Sequence, residues 1–288
     1  MINYRELSPI EKHGEIWFKR EDLFKPFSDF EISGGKVRQC YALVEQNKEL
    51  IKKEYNSTLI TAASIHSPQS PIVARVAKEF GFKSIVGIGN TTVEKAVKEN
   101  KALQYSEEFG AEVVLLSKTQ AFNNVLYSRL NTLVEETPMF KILFGYHIES
   151  NKESIVDIIA EQVSNIPDEI NTLVVNLGSA VSFVGIMTGI LKYERDFRVI
   201  AIQPFGYDRR KFIQKSMNYM KWEYWDKFEY YMGSYPYSKV MIKEIDKDLE
   251  LDGIYESKAY DLMLKENIVN PKKENVCFWV IGNTNFLR

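Results

Sequence analysis

Short apolar segments rich in β-branched residues alternate with amphipathic helical segments between residues 51 and 200, and this alternation limits the possible folds more than any other feature. The predicted strands are 59–64, 83–89, 111–117, 141–145, 171–178 and 197–203, and the predicted helices are 71–81, 92–110, 122–136, 153–164 and one that ends at 192. Because strands joined through helices run parallel, the pattern indicates an α/β fold with parallel sheets.

The remainder of the chain is less regular. Residues 209–252 are crowded with aromatic side chains and permit no firm assignment; they include Trp222, Trp225, Tyr230, Tyr231, Tyr235 and Tyr237. A helix is predicted over 256–266 and an apolar strand over 276–282.

Composition narrows the class of protein. The 288 residues suffice for about two domains, and the hydrophobic fraction of 45% is typical of globular chains. Lys and Arg number 37 against 39 Asp and Glu, so no overall basic field exists to bind nucleic acid. Cys40 and Cys277 form no disulfide framework, and no secretory signal or membrane-length apolar stretch is found. We therefore expect a cytoplasmic protein without a membrane partner.

Lys36 is the first candidate for chemistry, within the segment SGGKVRQ at the predicted start of a helix. Glycines there let the backbone approach a ligand, and a helix start favours anions. A lysine beside Arg38 has its cationic form disfavoured and becomes a better nucleophile for an aldehyde. The alternative is a solvated lysine in a turn.

A second candidate is the loop AASIHSPQSP, residues 62–71, which joins a strand to a helix. The hydroxyls of Ser64, Ser67 and Ser70, the amide of Gln69 and free backbone N–H groups suit a carboxylate. The alternative is helix capping by Ser67 or Ser70. His66, in the same loop, is interpreted as a hydrogen-bonding residue more readily than as a base.

Two further elements have the pattern of ligand sites. NLGSAVSFVG, residues 176–185, combines a strand, a small-residue turn and a helix, and aims N–H groups with the hydroxyls of Ser179 and Ser182 at a phosphate. Its alternative is an ordinary turn. Glu256 opens a helix, where the helix dipole favours a carboxylate whatever its function. The histidines His13, His66 and His147 are too far apart in sequence to indicate a metal site.

The order of these elements resembles the fold-type II pyridoxal phosphate enzymes, the tryptophan synthase β-like group, and within it the branch of aminocyclopropane-carboxylate deaminase and D-cysteine desulfhydrase. The resemblance begins at IWFKREDLF and covers about residues 17–282. It implies an α/β fold of two interwoven three-layer domains with parallel-type sheets. Residues 1–39 and 147–288 would form the larger, cofactor-binding domain, and residues 40–146 the smaller one with the substrate-carboxylate loop.

The resemblance also assigns roles. Lys36 would form the Schiff base with pyridoxal 5'-phosphate, and Ser67 and Gln69, with His66 in their loop, would bind the substrate carboxylate, Ser67 also transferring a proton. Tyr255 and Glu256 match the Tyr-Glu pair of the deaminases, in which the carboxylate faces the pyridine nitrogen. The phosphate cup would consist of Gly178, Ser179, Ala180, Val181 and Ser182.

Several positions depart from the family pattern. Ala180 and Val181 stand where the cup normally has glycines, and we expect their side chains to crowd it. Pro68 replaces the asparagine that usually meets the ring hydroxyl of the cofactor, and Gln39 replaces a phosphate-binding lysine of the deaminases.

The implied activity is that of a pyridoxal phosphate-dependent lyase or deaminase, which acts on a small amino-acid substrate through a Schiff base and an α-carbanion, in a homodimer. One alternative uses the carbanion to transfer an amino-acid unit onto an electrophile such as a modified nucleobase. Nucleic acid would then be contacted by the basic run Arg209, Arg210 and Lys211, although a solvated charge cluster is the simpler interpretation of that run. Another alternative is a catalytically degenerate member of the fold that only binds a ligand.

Overall fold

The computed structural model describes residues 2–119, 121, 123–143, 148, 151–219 and 227–287. The strands are β1 Ile10–His13, β2 Ile16–Arg20, β3 Ser33–Gly34, β4 Thr58–Ala62, β5 Lys83–Gly89, β6 Ala111–Ser117, β7 Phe140–Lys141, β8 Thr172–Asn176, β9 Arg198–Gln203, β10 Glu229–Met232, β11 Lys243–Asp246, β12 Leu249–Leu251, β13 Val276–Val280 and β14 Gly282–Asn283. The helices are α1 Gly35–Glu54, α2 Gln69–Glu79, α3 Val93–Glu99, α4 Lys101–Glu108, α5 Asn123–Glu136, α6 Ile158–Glu161, α7 Val181–Lys192, α8 Arg210–Tyr219 and α9 Glu256–Lys265.

The first of two compact units comprises Met1–Gly35 and Ile148–Phe286. Its main sheet has the strand order β1-β2-β13-β8-β9-β10, parallel throughout except for the antiparallel pair β1 and β2. Strands β8 and β13 are buried along their whole length, as expected for the centre of a parallel sheet. Their apolar side chains pack with those of α9, including Val174, Phe278 and Met263, into the core of this unit.

The second unit comprises Lys36–His147 with Leu287–Arg288. Its sheet has the order β6-β5-β4-β7, and all of its neighbouring strands are parallel. Ile60 and Ala62 of β4 pack against Leu126 and Leu130 of α5. Both units therefore contain the predicted parallel sheets, and the α/β fold class is confirmed. The predicted domain boundaries, with residues 1–39 and 147–288 in the larger domain and residues 40–146 in the smaller one, remain a prediction.

The predicted helix 92–110 is wrong in one respect, because it is interrupted at Asn100. This residue has extended backbone angles (φ −132°, ψ 112°), and its side-chain amide donates to the Ala96 carbonyl at 2.7 Å. Its own carbonyl then accepts the first N–H groups of α4, from Leu103 and Gln104. Asn100 therefore closes α3 and starts α4, a use of asparagine that competes with a continuous helix.

The segment predicted as the helix 153–164 begins as a π-helix, Glu153–Asp157, before continuing as α6. Within the unassigned region 209–252, the structure contains α8, the edge strand β10 and the antiparallel pair β11 and β12.

Several residues named in the sequence analysis lie outside the described residues: Phe122, His147, Trp222, Trp225 and the end of the predicted strand 141–145. No helix of the described chain combines the length and the apolar character that a bilayer crossing requires.

Candidate active site

The turn between β8 and α7 has an accessible face and a buried face. Gly178, Ser179 and Ser182 are partly exposed, whereas Ala180 and Val181 are only 4% and 3% exposed. Ala180 adopts a left-handed conformation (φ 67°), and as the N-cap residue of α7 it makes no side-chain hydrogen bond to the helix start. The two residues that replace glycines are thus buried rather than displayed on the accessible face, and the first N–H groups of this twelve-residue helix receive no hydrogen bond from the N-cap side chain.

Tyr255 lies against this turn. A Cβ atom built on Gly178 would lie 3.0 Å from Cε1 of the Tyr255 ring, so a larger residue at 178 would have to displace the ring. The ring also lies near that of Phe205, with 5.0 Å between ring centroids. Burial raises the pKa of the Tyr255 hydroxyl, so this side chain is a neutral phenol at neutral pH.

Glu256 is the first residue of α9 and is buried, with 4% of its surface exposed. Burial raises the pKa of its carboxyl well above the usual range, and the nearby charge of Asp252 adds to that shift. Hydrogen bonds from the Gly282 N–H and the Asn176 side chain favour the charged form but only partly offset burial. The carboxyl therefore binds a proton more readily than an exposed carboxyl does, and it could share that proton with a basic ring nitrogen placed against it.

Asp252 fixes the approach to α9, a role that sequence reasoning missed. Its Oδ1 accepts from the N–H groups of Ile254 (2.9 Å) and Tyr255 (3.2 Å). Its Oδ2 accepts from the N–H of Thr284 at 2.9 Å and from the hydroxyl of the same residue at 2.5 Å. The Asp-Gly dipeptide just before a helix start was the available signal, since aspartate side chains commonly accept backbone N–H groups there.

In the second unit, the loop 64–69 uses its polar groups internally. The Gln69 amide nitrogen donates to the Thr61 hydroxyl at 2.7 Å and to the Ile142 carbonyl at 3.1 Å. The Ser67 hydroxyl accepts from the Gln69 N–H at 3.3 Å, and the side chain of His66 is exposed. Helix α2 therefore starts two residues before the predicted Pro71, and Ser70 lies inside it with a buried hydroxyl that has no partner among the described residues.

Lys36 is the second residue of α1 and is half-buried. The two glycines before it are required by geometry. Gly34 has a φ of +100°, and a Cβ on it would lie 2.2 Å from the Ile281 carbonyl oxygen. The Gly35 N–H donates to that same carbonyl at 2.8 Å, and a Cβ on Gly35 would lie 3.2 Å from the Glu21 carboxyl group.

The first unit thus brings together the turn at Gly178, Tyr255 and Glu256, and the second unit contains Lys36, Ser67, Gln69 and His66. Sequence reasoning did not identify Asn176, whose Oδ1 is buried and finds no donor among the described residues. An unsatisfied buried acceptor beside a buried carboxyl is an arrangement that a polar ligand could complete.

Comparisons with known proteins identify the family of the chain. Residues 1–220 match the family model described as "Pyridoxal-phosphate dependent enzyme". The chain therefore belongs to this family of enzymes, of fold type II, and its cofactor is pyridoxal 5'-phosphate.

Two solved structures illustrate the fold. An ACC deaminase homologue is 18% identical and superposes with a TM-score of 0.73 over 96% of this chain and 89% of that chain. Threonine deaminase isoform 2 of Solanum lycopersicum is 17% identical, with a TM-score of 0.64 over 97% of this chain and 84% of that chain.

A curated relative from Salmonella phage ViI, an "O-seryl-dTMP PLP-dependent decarboxylase", is 27% identical over 221 residues. That alignment covers 72% of this chain and 51% of the relative. The chain thus spans about half the length of the curated relative that it matches.

The residues present fit the cofactor. The start of α7 with the hydroxyls of Ser179 and Ser182 would suit a phosphate, and the buried carboxyl of Glu256, with its raised pKa, would suit a pyridine nitrogen. Lys36 would supply the amine that bonds covalently to the aldehyde of the cofactor. Among the described residues, no group of three or more His, Cys, Asp and Glu side chains could hold a metal ion.

Proposed function

We propose that this protein is a pyridoxal phosphate-dependent lyase that removes the α-carboxylate of an amino acid, and that this amino acid is carried on a nucleotide. When bound, the cofactor supplies an electron sink for the electron pair that a departing substituent leaves on the α-carbon. The residues of this chain decide which substituent departs and where the protons go.

The observation that carries the proposal is that the side-chain amide of Gln69 already donates hydrogen bonds within its own unit. Its nitrogen donates to Thr61 and to Ile142, two groups of its own unit that are also hydrogen-bonded to each other. A carboxylate at this loop would receive the Ser67 hydroxyl and would compete with Thr61 and Ile142 for the amide of Gln69. Because an orienting set of hydrogen bonds selects the bond to be broken, a carboxylate held by fewer donors is freer to turn into the orientation from which it leaves.

Two groups handle the protons in this proposal. The Glu256 carboxyl, whose pKa is raised by burial, would hold the proton that it shares with the pyridine nitrogen. The carbon–carbon bond breaks to release carbon dioxide, and the Nζ of Lys36 delivers the proton that takes its place on the α-carbon. Lys36, Ser67, Tyr255 and Glu256 are the proposed catalytic residues, while Ser67 and Gln69, with His66 in their loop, form the substrate side.

The relative from Salmonella phage ViI supports both halves of the proposal, since its name gives a decarboxylation and an amino acid joined to a thymidine nucleotide. It also favours a nucleotide substrate over a free amino acid.

Deamination is the second candidate, favoured by the pair of Tyr255 and Glu256, because a carboxyl against the pyridine nitrogen assists any reaction that leaves negative charge on the α-carbon.

The test is to incubate the holoenzyme with O-seryl-dTMP and, separately, with D- and L-amino acids, and to measure carbon dioxide, ammonia and the mass of the nucleotide. Loss of carbon dioxide from the nucleotide substrate, abolished in Lys36→Ala, supports the proposal. Ammonia without carbon dioxide would establish the deaminase instead. A nucleotide that gains the mass of an amino acid would establish transfer, and no product with any substrate would establish a binding protein.

A further inference from the structure

Arg209 lies beside the Gly178 turn. Its Nε donates to the Gly178 carbonyl oxygen at 3.2 Å, and its side chain is half-buried. Its positive charge also acts on Tyr255, the residue that packs on Gly178, and there partly opposes the effect of burial on the pKa of the phenol. A cation thus stands at the accessible turn where α7 begins.

The backbone of Arg209 is fixed by a chain of hydrogen bonds to the end of β9. The Arg209 N–H donates to the Tyr230 hydroxyl at 3.2 Å, and that hydroxyl donates to Oε1 of Gln203 at 2.5 Å. The amide nitrogen of Gln203 then donates to the carbonyls of Phe205 (2.9 Å) and Tyr207 (2.7 Å). The loop that presents the guanidinium is therefore organised before any ligand arrives, which lowers the entropic cost of binding.

Arg209 and the adjacent Arg210 differ in the groups to which they donate hydrogen bonds. Arg210 forms a bidentate ion pair with Asp208, with distances of 3.1 and 2.9 Å from its Nε to the two carboxylate oxygens. Among the described residues, Arg209 forms no ion pair with a carboxylate. Its Nε–H donates to the Gly178 carbonyl, and the four N–H groups on its Nη atoms have no acceptor in this part of the chain. A half-buried guanidinium in this state is suited to a doubly charged anion.

We propose that Arg209 binds the phosphate group of the cofactor, adding a charged fork to the start of α7 and the hydroxyls of Ser179 and Ser182. This inference rests on the proposed assignment of the Gly178 turn to the phosphate. The positive end of the helix dipole and the fixed guanidinium act on the same anion, and guanidinium–phosphate hydrogen bonds are about twice as strong as neutral ones.

The experiment compares pyridoxal 5'-phosphate with pyridoxal, which has the same aldehyde but no phosphate. Both ligands are titrated into apo wild type, Arg209→Gln, Arg210→Gln and Ser182→Ala, and binding is followed by cofactor absorbance; thermal unfolding of each apo variant checks that it is folded. Arg209→Gln should weaken binding of the phosphorylated ligand roughly 10- to 100-fold and change binding of pyridoxal less than about two-fold. Arg210→Gln, the matched control on the same turn, should leave both affinities unchanged.

Four results would overturn the inference. Equal weakening of both ligands by Arg209→Gln would make Arg209 a support of the turn and not a phosphate ligand. Unchanged affinities, with a raised KM for a nucleotide substrate, would assign the guanidinium to the substrate. Loss of discrimination in Ser182→Ala but not in Arg209→Gln would refute the role of Arg209 while keeping the turn as the phosphate site. If neither variant alters discrimination, the assignment of the turn itself fails.

Discussion

The indole N–H of Trp279 donates to the carboxylate of Glu21 at 3.0 Å, and both side chains are completely buried. The two residues are 258 positions apart in sequence. Glu21 in turn lies beside Gly35, directly before the proposed Schiff-base lysine. This contact joins the last strand of the main sheet to the segment that leads into α1.

Trp279→Phe should lower the free energy of unfolding by about 1 to 3 kcal/mol, because a buried carboxylate loses a donor and the smaller ring leaves a void. Urea denaturation of the apo protein measures the change. The matched control is Trp17→Phe on β2, where the ring is half-buried and Lys12 Nζ lies 5.3 Å from its centroid. That control should cost less than about 1 kcal/mol, and equal costs at both positions would contradict a specific role for the Glu21 contact.

Gly34→Ala should destabilise the protein by about 3 kcal/mol or more, because a methyl group would meet the Ile281 carbonyl at 2.2 Å in a backbone conformation that L-residues rarely adopt. Gly14→Ala is the control for conformation alone, since Gly14 also has a positive φ (+63°) but no atom within 4 Å of its added Cβ. It should cost about 1 kcal/mol. Urea unfolding of the two variants separates the clash from the strain, and similar losses would show that the contact with Ile281 is unimportant.

The sequence predicted the parallel core well because the periodicity of strands and helices is a local property. Strands 83–89 and 111–117 have the bounds expected from their patterns. The interruption at Asn100 was not predictable in this way, since it depends on one side chain bonding to the Ala96 carbonyl instead of continuing the helix. The edge strand β10 was missed because its half-exposed residues show no alternation of apolar and polar positions.

The site was predictable as a set of motifs but not as a set of partners. The motif containing Gln69 is visible in the sequence, whereas the bond of its amide to Ile142 joins residues 73 positions apart. Arg209 and Arg210 are equivalent as neighbours in a charge cluster, and only the fold shows that Asp208 pairs with one of them. Long-range contacts of this kind decide which polar groups remain available to a ligand.

Native protein should react very slowly with a thiol reagent, because Cys40 and Cys277 are fully buried and burial raises the pKa of the Cys277 thiol to about 12. Each unit contains one cysteine, so Cys40→Ala and Cys277→Ala report separately on the opening of the first and second units. Labelling by a colorimetric disulfide reagent should occur within seconds in denaturant and become undetectable over minutes in native buffer. Fast labelling of either native variant would show that its remaining cysteine is accessible.

Glu256→Gln should stabilise the apo protein relative to wild type as the pH rises. A carboxyl whose folded pKa lies above its unfolded value, about 4.3, makes the folded state lose stability between those two values, at about 1.4 kcal/mol per pKa unit. Glutamine does not titrate, so the difference from wild type should be small near pH 4 and grow toward pH 7. Glu266→Gln, at the exposed C-terminal end of α9, is the control and should show no such trend. In the holoenzyme, Glu256→Gln should retain the cofactor but slow solvent-deuterium exchange at the α-carbon of an accepted substrate by roughly 10-fold or more, since the shared proton is lost.

Urea unfolding from pH 4 to 7 and the exchange rate together test the assignment of Glu256 to the pyridine nitrogen. Unchanged exchange with a small, pH-independent loss of stability would reduce Glu256 to a residue that only favours the start of α9.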